Sequence, residues 1–209
     1  MRILWHMLTK RLALIAVPLA IAAGVAGCGS SSKSTSSASA GAGSSQSTKA
    51  ADAASAATGD IPDTQNFLTF NDAKAGFSIR YPEGWAQSNT AGGVTFKDKN
   101  NVVSVDVHPG AAPTVASVTA DLKKLKASDP NVTAATPKPF SIKGGKASIK
   151  VTYTTTSAPN PVTGKRVTLM VDRYEFSKNG KVAVLDLGTP TGVDNVDAYR
   201  MMSESFTWL

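Results

Sequence analysis

Cys28 is the only thiol in a chain of 209 residues, and it is the residue whose chemistry is easiest to name. A deprotonated cysteine is a soft nucleophile that accepts alkyl or acyl groups, and with no second thiol it cannot close an intrachain disulfide. The other reactive groups are too scattered to make a reaction centre. Of the two histidines, His6 lies near the start, and His108 follows Asp106 by two residues in a strand pattern, where the acid is poorly placed to orient the ring. No G-x-S-x-G elbow occurs, and no Gly-rich loop joins a strand to a helix in phosphate-cradling form. Nothing in the pattern pairs Glu83, Glu175 or Glu204 for glycoside chemistry, and Asp186, Asp194 and Asp197 lack the spacing of a calcium loop. The expectation is therefore no catalytic residue, no metal and no cofactor. Lys123, Lys124 and Lys126 read as the wet face of a helix, and no nucleic-acid partner is expected.

What positions Cys28 is the segment before it. Arg2, Lys10 and Arg11 precede an uncharged run, "LALIAVPLAIAAGVAG", from Leu12 to Gly27, which has the layout of an export signal. Sixteen residues span only about 24 Å as a helix, short of a hydrocarbon core, and Pro18 breaks the ladder, so a permanent membrane span is the weaker reading. The tetrad Val25-Ala26-Gly27-Cys28 resembles the lipobox of bacterial lipoproteins, with Val25 where leucine is commoner. That resemblance implies removal of residues 1–27, diacylglycerol on the Cys28 sulfur, and placement on the extracytoplasmic side of a cell membrane. Two or three acyl chains hold a protein to a bilayer where one would not.

From Gly29 to Asp60 the chain is almost wholly Ser, Ala, Thr and Gly. A segment without aromatic or branched aliphatic side chains cannot bury enough surface to offset its ordering entropy. Residues 28–60 thus read as a lipidated cysteine on a disordered tether, averaging roughly 30 Å end to end. At Ile61 the composition changes, and residues 61–209 are long enough for one domain with its own core. Loss of the signal takes three basic residues and no acid, lowering the formal charge from +7 to +4.

The domain is mostly alternating strand pattern. "GFSIRYP" sets Phe77, Ile79 and Tyr81 on one face, "GGVTFKD" sets Val94 and Phe96, "VVSVDVHP" sets Val103, Val105 and Val107, and "KASIKVTYTTT" sets Ile149, Val151 and Tyr153. Lys99-Asn100-Asn101 reads as a polar turn, while Gly144-Gly145 and Asn179-Gly180 read as hairpin turns, which favours antiparallel neighbours. Between Arg166 and Ser177 the apolar phase switches near Val171, predicting a bulge or a strand covered on both faces. Two amphipathic helices follow from the spacing. One carries Val115, Val118, Leu122 and Leu125 and opens at Pro113 or Thr114; the other carries Val196, Tyr199, Met202 and Phe206 and is capped by Asp194.

The stretch "FSIRYPEGWAQ", followed by "GGVTFKD", resembles the PsbP-like group, which includes the PsbP proteins of photosystem II, Mog-type Ran-binding proteins and LpqN-type bacterial lipoproteins. The resemblance implies an α+β fold, an antiparallel sheet flanked by helices as an α/β/α sandwich, and a protein that binds others without catalysing. Pro82 stops the strand, Gly84 turns the corner, and Trp85 is expected to pack. A proline-rich connection, "TTSAPNPVTGK", is too long for a minimal turn, so Ser157, Pro159, Asn160, Pro161 and Lys165 are the candidate contacts for an envelope or membrane protein partner. A lipid or small-molecule carrier, with a pocket between sheet and helices, is the alternative.

Overall fold

The computed structural model describes residues 59–142, 146–160 and 162–209. Cys28, the expected export signal and most of the expected tether lie outside them. The described elements begin with β1 (Phe67–Asp72), β2 (Phe77–Pro82), β3 (Ala86–Asn89), β4 (Gly93–Asp98), β5 (Asn101–Pro109) and α1 (Val115–Ser128). They continue with β6 (Thr133–Ala134), β7 (Lys138–Ile142), β8 (Lys146–Thr156), β9 (Thr168–Lys178), β10 (Lys181–Pro190), α2 (Val196–Ser205) and β11 (Thr207–Trp208). Eight strands form one sheet in the order β3-β4-β5-β10-β9-β8-β6, with β7 also on β8, and a second sheet has the order β1-β2-β11. Every pairing is antiparallel.

The turn chemistry sets the register. Asn179 and Gly180 take φ of 52° and 75°, the left-handed pair of a two-residue hairpin turn, and Lys178 faces Lys181 across it. The polar turn is one residue shorter than expected. Lys99, at φ 52°, and Asn100 make the corner, while Asn101 opens β5 opposite Asp98. Gly144 and Gly145 lie outside the described residues, but Ile142 faces Lys146 around them. Strands β1, β3, β6 and β11 carry no alternating apolar signal that sequence reading could use: β3 is exposed at all four positions, and β6 and β11 have two residues each.

The phase switch in β9 has a different cause from a bulge. Its pairing with β10 runs unbroken from Lys178↔Lys181 to Leu169↔Pro190. Leu169 and Val171 join Val118 and Leu122 of α1 in one apolar cluster, whereas Tyr174 and Phe176 join Phe77, Phe96, Leu185 and Met202 in another. Residues 169 and 171 share one face of the strand, and 174 and 176 share the other. One strand therefore serves two cores on opposite faces of the large sheet, with α1 over one and α2 plus the small sheet over the other. This is the expected α+β sandwich, with a small sheet added to one outer layer.

The layer under α2 is filled by rings. Phe206 stacks on Phe176 at 4.6 Å and lies 6.0 Å from Phe77, and Tyr81 stacks on Phe96 at 4.0 Å. Fully burying one such ring is worth about 2–3 kcal/mol. Trp85 packs into this core at the corner made by Gly84, which has φ of 86°. Helix α1 is opened by Thr114 in a reciprocal capping box with Ser117. In α2 the cap position belongs to Asn195, not Asp194, although the Asp194 carboxylate accepts the Val196 N–H at 3.2 Å. Val196 is exposed rather than buried.

Candidate functional site

The connection between β8 and β9 continues their hairpin ladder outward. Ser157 and Val167 continue the ladder, Ser157 N–H donating to the Val167 carbonyl at 2.9 Å and Val167 N–H donating to the Ser157 hydroxyl at 3.0 Å. Further out, Asn160 N–H donates to the Lys165 carbonyl at 2.8 Å. The Asn160 side-chain oxygen accepts the N–H groups of Val162 and Thr163, each at 2.9 Å, and Gly164 takes a left-handed φ of 67°. Asn160 is thus a turn-former. Of the expected contact residues, Ser157 has to be corrected: it is 6% exposed, and its hydroxyl is consumed in closing the loop. Pro159, Asn160 and Lys165 are exposed, and Pro161 lies outside the described residues. The loop's outstanding apolar group is one that sequence reading passed over, Val162, which is 90% exposed.

Three polar groupings come together in the fold. In the first, Arg173 donates to both Asp186 oxygens, from Nε at 2.8 Å and from Nη2 at 2.7 Å, while Tyr153 donates its hydroxyl to Asp186 at 3.2 Å and lies under the guanidinium at 5.3 Å. Burial disfavours the Arg173 charge, but the bidentate bond to Asp186 overrides it and raises the pKa. Burial, aided by the Asp186 charge, raises that of Tyr153. Glu175, on the same sheet face, is 4% exposed and makes no side-chain hydrogen bond among the described residues. Burial raises its pKa, with Arg173 opposing and Asp121 and Asp186 reinforcing.

The second grouping holds the start of the domain. Asn101 and Asn195, both buried, donate to the Gly59 carbonyl at 2.5 and 3.1 Å. Asn195 accepts the Ile61 N–H at 2.8 Å and donates to Thr189 at 2.9 Å, and Thr189 donates to Asn101 at 2.9 Å. The third is a surface pocket of about 150 Å³ where Lys74, Lys181 and His108 meet Gly92. There His108 faces Asp106 at 3.4 Å with both side chains open to solvent. That pair lacks a nucleophile and a shielded setting, so it is no hydrolytic triad.

Among the described residues no three His, Cys, Asp or Glu side chains are grouped to hold a metal, and no helix is long and apolar enough to cross a membrane. No family model matches the chain, and no curated protein matches it. Solved structures do. The cyanobacterial PsbP protein CyanoP of Synechocystis superposes with a TM-score of 0.52 at 18% identity, over 72% of this chain and 98% of its own. The fold is PsbP-like. Yeast Mog1p, a Ran-binding protein of Saccharomyces cerevisiae, gives a TM-score of 0.42 at 11% identity, over 69% of this chain and 96% of its own. A Bacteroides thetaiotaomicron protein gives 0.44 at 12%, over 68% of this chain and 48% of its own. In this PsbP-like domain the β8–β9 loop and the Gly59 clamp sit at one end of the large sheet, because Thr156 faces Thr168, Thr191 bonds Thr168, and Val102 faces Gly188. The His108 pocket is at the other end, where Pro109 faces Lys181.

Proposed function

We propose that the chain is a non-enzymatic recognition module of the cell envelope, tethered through lipid on Cys28 and engaging a membrane or envelope protein through the β8–β9 loop. The observation that carries this reading is the construction of that loop: its backbone is held by Asn160, Ser157 and Gly164, and its tip presents Val162 to solvent. A preorganised tip loses little freedom on docking, so its contact area converts to affinity more fully than that of a slack loop. Its end of the sheet also receives the chain from the tether, which keeps the loop within reach of the bilayer surface. The shared fold with CyanoP is consistent with a role of this kind. A carrier role is less well supported, because stacked Phe77, Phe176 and Phe206 occupy the space between the large sheet and α2.

A photo-crosslinking residue at Val162 or Lys165, in the full chain expressed in cells, is expected to capture one discrete protein. The same residue at Gln87 on the exposed β3 edge should not. Equal, diffuse labelling from both sites would end this reading.

A further inference from the structure

Residues 67–72, "FLTFND", hold no proline and no basic residue, and their one acid, Asp72, stands at the end. They form β1, an outer strand of the small sheet that pairs only with β2. Glu83 N–H donates to the Asn66 carbonyl at 2.8 Å, one step beyond the pair Phe67↔Pro82, and this bond fixes the phase of the ladder. Bonded residues alternate along an antiparallel pair, so Leu68, Phe70 and Asp72 bond β2, while Phe67, Thr69 and Asn71 turn their N–H and C=O groups to the other side. No group among the described residues bonds them there.

The other sheet edges are short or interrupted. β3 has four residues and β11 two, and the edge opposite β3 carries Pro137 and Pro139, whose missing N–H groups break a ladder. β1 offers six residues without interruption. Leu68 is 42% exposed on it, and Thr69 and Asn71 are exposed beside Leu68 and Phe70.

The strand is also complementary to itself. When two copies lie antiparallel about a two-fold axis at Thr69, the outward groups of Phe67, Thr69 and Asn71 meet those of Asn71, Thr69 and Phe67 in the second copy. Leu68 then falls opposite the second Phe70, on the face where Phe70 already packs 6.0 Å from Phe77 and 5.6 Å from Phe96. Asp72 falls opposite Asn66, so no like charges oppose one another across the junction. Moving the axis to Phe70 instead sets Leu68 against Asp72 and loses a bonded pair.

We infer that β1 is a self-association edge, through which two copies of this chain join their small sheets into one continuous sheet. The contact is isologous, the same strand serving both copies. It does not rest on the β8–β9 loop as a contact, and either can fail alone.

The test measures energy transfer between two fluorescently tagged copies of the full chain in detergent micelles, with micelles in excess. Transfer that rises to saturation with concentration is expected for the parent. Thr69→Lys in both copies sets two like charges opposite each other on the axis and should weaken association about fivefold. Thr69→Lys mixed with Thr69→Glu should restore it, and thermal unfolding shows that both variants, changed at an exposed position, are folded. A second arm uses mild oxidation. Residues that form a bonded antiparallel pair lie about 5.5 Å apart at Cα, within disulfide reach, so Thr69→Cys should give a covalent dimer above the background from Cys28. Asn71→Cys, displaced from the axis, should not. The dimer has twice the mass of the chain, which separates it from capture of another protein by the loop. A parent that stays monomeric, association indifferent to the charge pair, or equal linkage from Thr69→Cys and Asn71→Cys would overturn the proposal. So would an edge that takes an extended peptide of foreign sequence but no second copy.

Discussion

At the scale of single residues, this domain spends its buried polar groups on position. Asn195 uses both ends of its amide, accepting from Ile61 and donating to Gly59 and Thr189. Truncating it strands several partners in a buried site, so Asn195→Ala should cost about 2–3 kcal/mol. Denaturant unfolding should show a lower midpoint, and hydrogen exchange should show Ile61 freed before the sheet. Glu175 behaves in the opposite sense. Its pKa lies above the ordinary value of 4.5 in the folded state, so the unfolded chain binds fewer protons across that interval, and stability falls as pH rises through it. Glu175→Gln removes this loss. The variant is expected to melt higher than the parent at pH 7, with the difference closing as pH drops below the ordinary glutamate range; a difference that is constant with pH would refute the assignment.

At the scale of elements, one strand feeding two cores is the central device. Helix α1 covers Leu169 and Val171, α2 covers Phe176, and β9 joins them without a break in register. Phe206, just past the last turn of α2, ties that helix to both sheets through its stacks on Phe176 and Phe77. Phe206→Ala should cost about 3–5 kcal/mol by loss of burial and a residual cavity. Chemical denaturation measures it directly, with Val115→Ala, 36% exposed at the start of α1, as a near-neutral control. Some of this level could be read in advance. Once Asn179-Gly180 is accepted as a two-residue turn, with Lys178 opposite Lys181, stepping back along both strands puts Arg173 opposite Asp186. The charged pair was legible; Tyr153 beside it was not, because the β8–β9 connection is long and its register is not dictated by local turn chemistry.

At the scale of the whole molecule, the chain meets the domain at Gly59, on the same end as the β8–β9 loop, while the His108 pocket faces the other way. The proposed membrane placement depends on Cys28. Cys28→Ser is expected to abolish metabolic labelling with a fatty acid at the amino terminus and to block signal removal, shifting the protein to a longer species on gels. Processing and membrane fractionation that matched the parent would remove the membrane from the reading.

Sequence by itself determined the parts whose physics is local. Alternation marks strands that have one buried face, three-and-four spacing marks helices lying on a sheet, and Asn-Gly demands a left-handed corner. Tertiary structure alone decided the rest. Asn101 looked like one more turn residue until Gly59, Thr189 and Asn195 closed around it. Ser157 looked like a contact until its hydroxyl was seen to finish a ladder. Each depends on groups far apart in the chain meeting at hydrogen-bonding or van der Waals distance, and spacing along the sequence carries no record of those meetings.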